Sequence, residues 1–184
     1  MTDSDSSTLH AVLRAFEAAA ITHVVGLPDN ASAPLFRALR TSKTIRLITV
    51  SREGEAFALA SGLWVGGAAP LVVIQNTGLL ESGDAVRGTA LRMGVPLPCI
   101  ITGRGYAKNT AAGIAPAEPL TRELLTRPDV DTAAIFTEPT LRAWGIPFSR
   151  CRPGEDPSVA VSETISRART DERPVALVLT AALA

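Results

Sequence analysis

Aromatic residues are scarce in this 184-residue chain, where they make up 4% of the sequence. So few rings cannot form the stacking platform that single-stranded nucleic acids require. An excess of one charge is missing too, because 18 Lys and Arg balance 18 Asp and Glu and the formal net charge is +0. The sequence therefore gives no reason to expect a nucleic acid or an anionic membrane surface as a partner.

Cysteine is nearly absent as well, with Cys99 and Cys151 as the two copies. One pair does not make a disulfide framework, and neither cysteine has a histidine or second cysteine nearby at metal-ligand spacing. We expect Cys99 to be a small buried hydrophobe inside an apolar strand, and Cys151 to be a surface thiol in a loop.

Long hydrophobic runs are also missing, since the longest, around residues 71–74, is far too short to cross a bilayer. The amino terminus, MTDSDSSTLH, has neither the basic region nor the apolar stretch of a signal peptide. A hydrophobic content of 46% with 20% charged residues nevertheless excludes a disordered chain. We expect a soluble, cytoplasmic protein that forms a single domain over residues 1–184.

Short apolar segments alternate with segments of helical periodicity along the whole chain. The predicted strands are 23–26, 45–50, 71–75, 98–102, 147–150 and 175–180. The predicted helices are 8–20, 33–39, 53–65, 82–92, 120–126, 137–144 and 159–168, and the Gly-, Ala- and Asn-rich segment 103–117 predicts a mobile loop. Because the strands are apolar throughout, the pattern predicts an α/β fold with an open, mostly parallel sheet of about six strands and helices on both faces.

The run from residue 46 to residue 78 carries the most information about function. A strand is followed by Glu53 and a helix of small residues, and the next strand ends in Gln75-Asn76-Thr77-Gly78. This order places a carboxylate at the edge of a parallel sheet where ligands bind. Taken alone, Glu53 is better explained as a helix-start glutamate stabilised by the helix dipole. The second motif is typical of a turn whose Asn76 or Thr77 caps the next helix, and this interpretation is compatible with a place near a ligand.

Two further segments are predicted at the same edge. Pro28-Asp29-Asn30 follows the first strand and is typical of a turn with an Asx cap. A polar cluster follows the fourth strand, and it could close over an anionic substrate or simply be a solvated loop; its members are Arg104, Tyr106, Lys108 and Asn109. His10 and His23 are interpreted as structural, because one lies on the first helix and the other opens a buried strand.

Three motifs together resemble the pyrimidine-binding (PYR) domain of thiamine diphosphate enzymes, and within it the sulfopyruvate and phosphonopyruvate decarboxylase group. They are Gly26-Leu27-Pro28-Asp29, the spacing from Glu53 to Gly62, and Gln75-Asn76-Thr77-Gly78, and the resemblance covers nearly the whole chain. It implies that Glu53 is the catalytic residue, hydrogen-bonded to N1′ of the cofactor's aminopyrimidine from a nearly dry pocket. It also implies cofactor contacts for Pro28, Gln75, Asn76, Thr77 and Gly78, and substrate contacts for Asp29 and Asn30, to which we add Arg104 as a candidate. Glu55 does not fit the family spacing and is expected to face another way.

The resemblance implies that part of the site comes from another chain. Family members hold the diphosphate through Mg²⁺ with a Gly-Asp-Gly motif and a later Asn-Asn pair. Gly83-Asp84-Ala85 and Asn109-Thr110 lack the second glycine and the second asparagine, so we interpret them as coincidence and expect no metal ligand here. We expect thiamine diphosphate to bind with Mg²⁺ held by a β-type subunit, in a hetero-oligomer with homodimeric contacts.

The expected activity is decarboxylation of a small anionic 2-oxo acid, with this chain as the α-type subunit. A carboligase subunit and a non-catalytic module of the same fold are the alternatives. After Gly78 the chain departs from the decarboxylase group, which tends to have Gly-Leu-Gly-Asn where this chain has Gly78-Leu79-Leu80-Glu81. This change adds bulk and a negative charge near the expected substrate site.

Overall fold

Each apolar segment of the sequence forms a strand, and helices connect the strands. The computed structural model describes residues 3–115 and 119–180, with side chains from residue 7 onward. The strands are β1 (His23–Gly26), β2 (Arg46–Thr49), β3 (Pro70–Gln75), β4 (Pro98–Thr102), β5 (Phe148–Cys151) and β6 (Val175–Leu179). The helices are α1 (Asp3–Ala18), α2 (Ala33–Leu39), α3 (Glu53–Val65), α4 (Asn76–Glu81), α5 (Gly83–Ala85), α6 (Tyr106–Ala111), α7 (Arg122–Thr126), α8 (Thr132–Ala143) and α9 (Pro157–Asp171), and a π-helical segment, Val86–Leu91, follows α5.

The strands form a six-stranded sheet in the order β2-β1-β3-β4-β6-β5. Every pairing is parallel. The central strands β4 and β6 are buried along their whole length, whereas the edge strand β2 is exposed or half-buried at every residue. The prediction of an open parallel sheet of about six strands is confirmed.

Helices cover both faces of the sheet, and β3 shows this residue by residue. Val72 and Ile74 pack in one apolar cluster with α3, α4 and α8, while Leu71 and Val73 pack in a second cluster with α1, α2 and α9. Successive side chains of a strand point to opposite faces. A strand buried on both faces must therefore be apolar at every buried position, as residues 70–74 of β3 are.

The order of the strands identifies the position between β1 and β3 as a candidate ligand site. β1 pairs with β2 on one side and with β3 on the other, so the chain leaves β1 and β3 in opposite directions across the sheet. The crevice outside the carboxyl ends of such strands is where open α/β sheets bind ligands. The segments that follow β1, β2, β3 and β4 meet at this end.

The segment after β3 differs from its prediction. Gln75 is still extended, with φ −81° and ψ 157°, and α4 begins at the next residue, Asn76. The predicted turn over residues 75–78 is therefore wrong, and neither Asn76 nor Thr77 caps a later helix. The predicted helix 82–92 is divided between α5 and the π-helical segment.

The predicted mobile loop 103–117 contains α6, so that prediction is wrong for the described part; residues 116 and 117 lie outside the described residues. Gly105 has φ +84° and lies directly against the side chain of Asp131, which lets the chain turn abruptly into α6. Tyr106 and Asn109, expected in a polar surface cluster, are both buried. Local composition missed the helix because its burial depends on residues far along the chain.

Two other helices begin earlier in the chain than predicted. α1 begins at Asp3 rather than Thr8. α8 begins at Thr132 rather than Thr137, because the carboxylate of Asp131 caps it by accepting from the backbone N–H groups of residues 133 and 134.

Cys151 is not a surface thiol in a loop, as predicted, but the buried last residue of β5. Burial raises the pKa of its thiol. Cys99 is buried in β4 as predicted, and burial raises its pKa as well. Both thiols are therefore held in the unreactive protonated form.

Candidate functional site

Asp29 joins the ends of three strands at the carboxyl edge of the sheet. Its Oδ2 accepts hydrogen bonds from Gln75 Nε2 at 2.9 Å and from Thr102 Oγ1 at 2.8 Å. Its Oδ1 accepts from the backbone N–H of Ser32 at 2.9 Å and from the Ser32 hydroxyl. Partial burial opposes ionisation, but the hydrogen bonds from Ser32, Gln75 and Thr102 outweigh it and lower the pKa of Asp29. The Asx-type turn is confirmed, whereas contact with a substrate stays a prediction.

The hydrogen bond to Asp29 fixes how the amide of Gln75 is oriented. Since its NH₂ group faces Asp29, its carbonyl Oε1 faces Thr77, whose hydroxyl donates to it at 2.8 Å. A chain of hydrogen bonds thus links the turn after β1 to the first turn of α4.

Asn76 is fully buried and connects three segments. Its Nδ2 donates to the backbone carbonyl of Arg104 at 3.0 Å and to the Thr137 hydroxyl at 3.1 Å. Its Oδ1 has no hydrogen-bond partner among the described residues. The side chain thus ties α4 to α8 and to the segment after β4, and its predicted cofactor contact is not tested by this geometry.

Glu53 is the first residue of α3 and its side chain is half-buried. Within the described part of the chain its carboxyl group forms no hydrogen bond and no ion pair. The side chain lies directly against Gly78 of α4, so closely that a Cβ at position 78 would overlap Cγ, Cδ and Oε1 of Glu53. The absence of a side chain at Gly78 therefore makes the position of this carboxyl group possible.

The other acidic residues near Glu53 are bound to the backbone. Glu55 is exposed, and its Oε2 accepts from the N–H groups of Ser51 at 3.0 Å and Arg52 at 3.3 Å. Glu81 accepts from the N–H of Gly54 at 2.8 Å and from Arg52 Nε at 3.1 Å. The hydrogen bond from Arg52 lowers the pKa of Glu81. Its charge, expected near the substrate site, is instead paired with Arg52 at the start of α3.

A cleft of about 350 Å³ lies over the ends of β1, β3, β4 and β6. Its lining residues are Asp29, Asn30, Ala31, Gln75, Gly103, Arg104, Leu179 and Thr180. Arg104 supplies positive charge at its wall; its side chain is exposed, and its Nε lies 3.5 Å from Asp131 Oδ2. Both carboxylate oxygens of Asp29 already accept hydrogen bonds within the chain. Arg104 is therefore better placed than Asp29 to bind a ligand.

The structure therefore divides the predicted site residues into groups. Asp29, Asn30, Gln75 and Arg104 line the cleft. Glu53 and Gly78 form a contacting pair outside that lining. Pro28 is exposed.

Sequence reasoning missed Ser32 and Thr102, which hold Asp29 in place. Both carried a signal, since Ser32 stands three residues after Asp29 and Thr102 ends a predicted strand. Among the described residues, no group of three or more His, Cys, Asp or Glu side chains could hold a metal ion. In the same part of the chain, no helix is long and apolar enough to cross a membrane.

Comparisons with known proteins place this geometry in context. The family model described as thiamine pyrophosphate enzyme, N-terminal TPP binding domain, matches residues 7–122. A phosphonopyruvate decarboxylase from Streptomyces hygroscopicus is 33% identical over 85 residues, which are 46% of this chain and 21% of that protein. The sulfopyruvate decarboxylase subunit alpha of Methanococcus maripaludis is 28% identical over 115 residues, which are 62% of this chain and 69% of that protein.

Solved structures share the fold at low sequence identity. The benzoylformate decarboxylase from Polynucleobacter necessarius has a TM-score of 0.68 at 19% identity, over 94% of this chain and 29% of that one. The 4-hydroxybenzoylformate decarboxylase of Rhodococcus jostii has a TM-score of 0.64 at 16% identity, over 94% of this chain and 30% of that one. The matched region thus spans about a fifth of the phosphonopyruvate decarboxylase and less than a third of each solved structure.

Proposed function

The chain belongs to the thiamine pyrophosphate enzyme family, as an N-terminal TPP-binding domain, and from this premise we propose that it is the α-type subunit of a thiamine diphosphate-dependent decarboxylase of small anionic 2-oxo acids. The observation that carries the proposal is the Glu53 carboxyl group, which has no hydrogen-bond partner among the described residues and lies against Gly78 at the carboxyl edge of the parallel sheet. The likeness to phosphonopyruvate and sulfopyruvate decarboxylases supports the substrate class.

The surroundings of Glu53 support a role for its carboxyl group in binding an aminopyrimidine ring. Gly78 leaves room for the Glu53 carboxyl group, and any larger residue would displace it. Glu55 and Glu81 are engaged by the backbone at the start of α3, so Glu53 is the acidic side chain of this helix start that stays available for a ligand. Glu53 would hold a hydrogen bond to N1′ of the ring and retain or share the proton there.

When bound, thiamine diphosphate supplies an acidic carbon, C2, and an electron sink for the departing carboxyl group. The part of this chain is to favour the ring tautomer that can accept the C2 proton. A carboxyl group performs this task best where water is excluded, because its hydrogen bond is then stronger. Half-burial of Glu53 shields its carboxyl group from water in part, and we assign the remaining shielding to a second, β-type chain.

The cleft beside Asp29 is the proposed substrate site. Arg104 at its wall would pair with the anionic head group, and Asn30, which is exposed, would donate its amide. Asp29 contributes indirectly, since it orients Gln75, which lines the cleft, and is itself held by the buried Thr102. A volume of about 350 Å³ suits a small organic acid.

We assign the diphosphate and Mg²⁺ to a β-type subunit. This assignment rests on the likeness to a protein named as subunit alpha, of which the match covers 69%. The outer face of α3 supports an interface, because Leu59 and Val65 are 39% and 64% exposed there. Gly62 has nothing within 4 Å of a Cβ at its position, so it faces open space on the same helix.

The test is carbon dioxide release by this chain purified together with a co-expressed β-type chain. Sulfopyruvate, phosphonopyruvate and benzoylformate form the panel, each with and without thiamine diphosphate and Mg²⁺. We expect cofactor-dependent release from at least one of the two anionic-headed acids and little from benzoylformate. Release that is independent of the cofactor, or none from any acid, would contradict the proposal. Carbon dioxide release in which the remaining acyl group is ligated to an added aldehyde, rather than protonated and freed as an aldehyde, would favour the carboligase alternative.

A further inference from the structure

We propose that Glu81 is a positioning residue for Glu53, because it fixes the first turn of the helix on which Glu53 stands. This inference rests on the proposed function and extends it to a residue at which the chain departs from the decarboxylase group. Where that group tends to have asparagine, this chain has the Glu81 carboxylate at the end of α4.

Glu81 binds the residues on both sides of Glu53. Its Oε2 accepts from the backbone N–H of Gly54 at 2.8 Å, and its Oε1 accepts from Nε of Arg52 at 3.1 Å and from the Nη2 of the same side chain. The first N–H groups of a helix have no partner within the helix. Among the described residues Glu81 is the acceptor that satisfies Gly54, so the orientation of this turn depends on it.

The same helix contacts Glu53 a second time. Gly78 and Glu81 lie three residues apart on α4 and so share one of its faces. Gly78 contacts the Glu53 side chain, and Glu81 holds the backbone beneath it. One face of α4 therefore sets both the position of the Glu53 backbone and the space available to its carboxyl group.

The exposure of this ion pair argues against a role in overall stability. Both Arg52 and Glu81 are exposed, and exposed ion pairs contribute little to folding. A negative charge at a helix N-terminus is favoured by the helix dipole, which holds Glu81 in place locally. Variants of Glu81 should therefore fold normally, and any effect on the cofactor can be measured in folded protein.

The first experiment measures the Gly54 amide in the isolated chain by hydrogen exchange. We expect slow exchange in the unmodified chain and at least about tenfold faster exchange in Glu81→Ala, because a first-turn amide then has water as its partner. Glu81→Gln keeps an oxygen that can accept from Gly54, so it should restore most of the protection. The control is Glu163→Ala on α9, an exposed glutamate remote from α3, which should leave the Gly54 amide unchanged.

The second experiment measures C2 proton exchange of thiamine diphosphate in the complex with the β-type chain, at saturating cofactor and Mg²⁺. We expect Glu81→Ala to lower the exchange rate per bound cofactor by about 10- to 100-fold, since a displacement near 1 Å of a reacting group costs up to about 10²-fold. Cofactor affinity should change little, and Glu81→Gln should recover most of the rate. A purely structural role would reduce the amount of assembled complex and leave the rate per bound cofactor intact.

The outcomes separate this inference from the function on which it rests. Unchanged protection of Gly54 in Glu81→Ala would show that the contact is not formed and would overturn the inference. Fast Gly54 exchange with an unchanged C2 rate would also overturn it, and the proposed function would still stand if Glu53→Gln lowered that rate. Full C2 exchange in Glu53→Gln would remove the proposed function and this inference with it.

Discussion

Four carboxylates lie near the same edge of the sheet, but they differ in the hydrogen bonds that they accept. Asp29 is occupied by donors on both oxygens, and Glu55 and Glu81 are bound to backbone N–H groups at the start of α3. Glu53 alone of these has no hydrogen bond within the described residues. The resemblance to the thiamine diphosphate family singled out Glu53, but the reason the other carboxylates are unavailable lies in contacts that the sequence does not reveal.

At Glu53, replacement by glutamine tests the proposed proton chemistry directly. Glu53→Gln keeps the volume and can still hydrogen-bond, but it cannot share a proton with N1′. Loss of positioned acid–base catalysis costs about 10²- to 10⁴-fold in rate. We expect turnover and C2 exchange in the assembled complex to fall within this range.

The matched control for that change is Glu55→Gln, two residues further along α3. Glu55 is exposed and bonded to the backbone, so this variant should keep nearly full activity. Full exchange in Glu53→Gln together with lost exchange in Glu55→Gln would mean that the assigned position is wrong by two residues. Full exchange in both variants would refute the enzyme interpretation.

Asp29 should make the stability of the fold depend on pH in acid. Hydrogen bonds hold its pKa below the ordinary value of 3.8, so its ionised form stabilises the folded state above that pH, and this contribution disappears as the pH falls through the folded pKa. Asp29→Ala should lower the free energy of unfolding by about 1–3 kcal/mol near neutral pH, because donors lose their acceptor. Urea titrations of both proteins should show the difference shrinking below about pH 4. Asn30→Ala, in the same turn, is the control, and a difference that stays constant with pH would contradict this role.

At the scale of elements, the strands were predictable and several helix ends were not. An apolar run bounded by polar residues indicates a buried strand wherever it occurs, and every predicted strand was found. The helix start at Asn76 escaped detection because Gly78 and the polar composition around it favour a turn when judged locally. Asn109 was misplaced for a related reason, since its side chain exchanges hydrogen bonds with the backbone of Asp131, far along the chain. Local patterns cannot contain such contacts.

Two glycines in neighbouring helices should respond oppositely to alanine. At Gly62 a Cβ would meet nothing within 4 Å, so Gly62→Ala should stabilise the isolated chain by about 0.5–1 kcal/mol. At Gly78 a Cβ would overlap the Glu53 side chain, so Gly78→Ala should displace that carboxyl group and lower C2 exchange by about 10- to 100-fold. Thermal unfolding and C2 exchange measured on both variants check this pair. Unaltered exchange in Gly78→Ala would show that Glu53 does not depend on this contact.

At the scale of the whole molecule, the cofactor is expected to need more than this chain. We propose that Glu53 binds the pyrimidine ring, and among the described residues no cluster of side chains could hold a metal ion. We expect calorimetry to detect weak or no binding of thiamine diphosphate with Mg²⁺ to the isolated chain, and tight binding once the β-type chain is present. Micromolar binding by the isolated chain would contradict the proposed division of the site between chains.

The outer face of α3 should be where that second chain, or a second copy, packs. A helix that is apolar all round is normally buried, yet Leu59 and Val65 are exposed on α3 in the single chain. Leu59→Glu would place a charge in the interface and, because the residue faces outward, should leave the fold intact. We expect sedimentation to show reduced association in Leu59→Glu with an unchanged circular dichroism spectrum.

Val159→Glu is the matched control, since Val159 is 55% exposed on α9, which packs on the opposite face of the sheet. Equal loss of association in both variants would point to a general effect of added charge. If the unmodified chain stays monomeric both alone and with its partner, this face is not an interface.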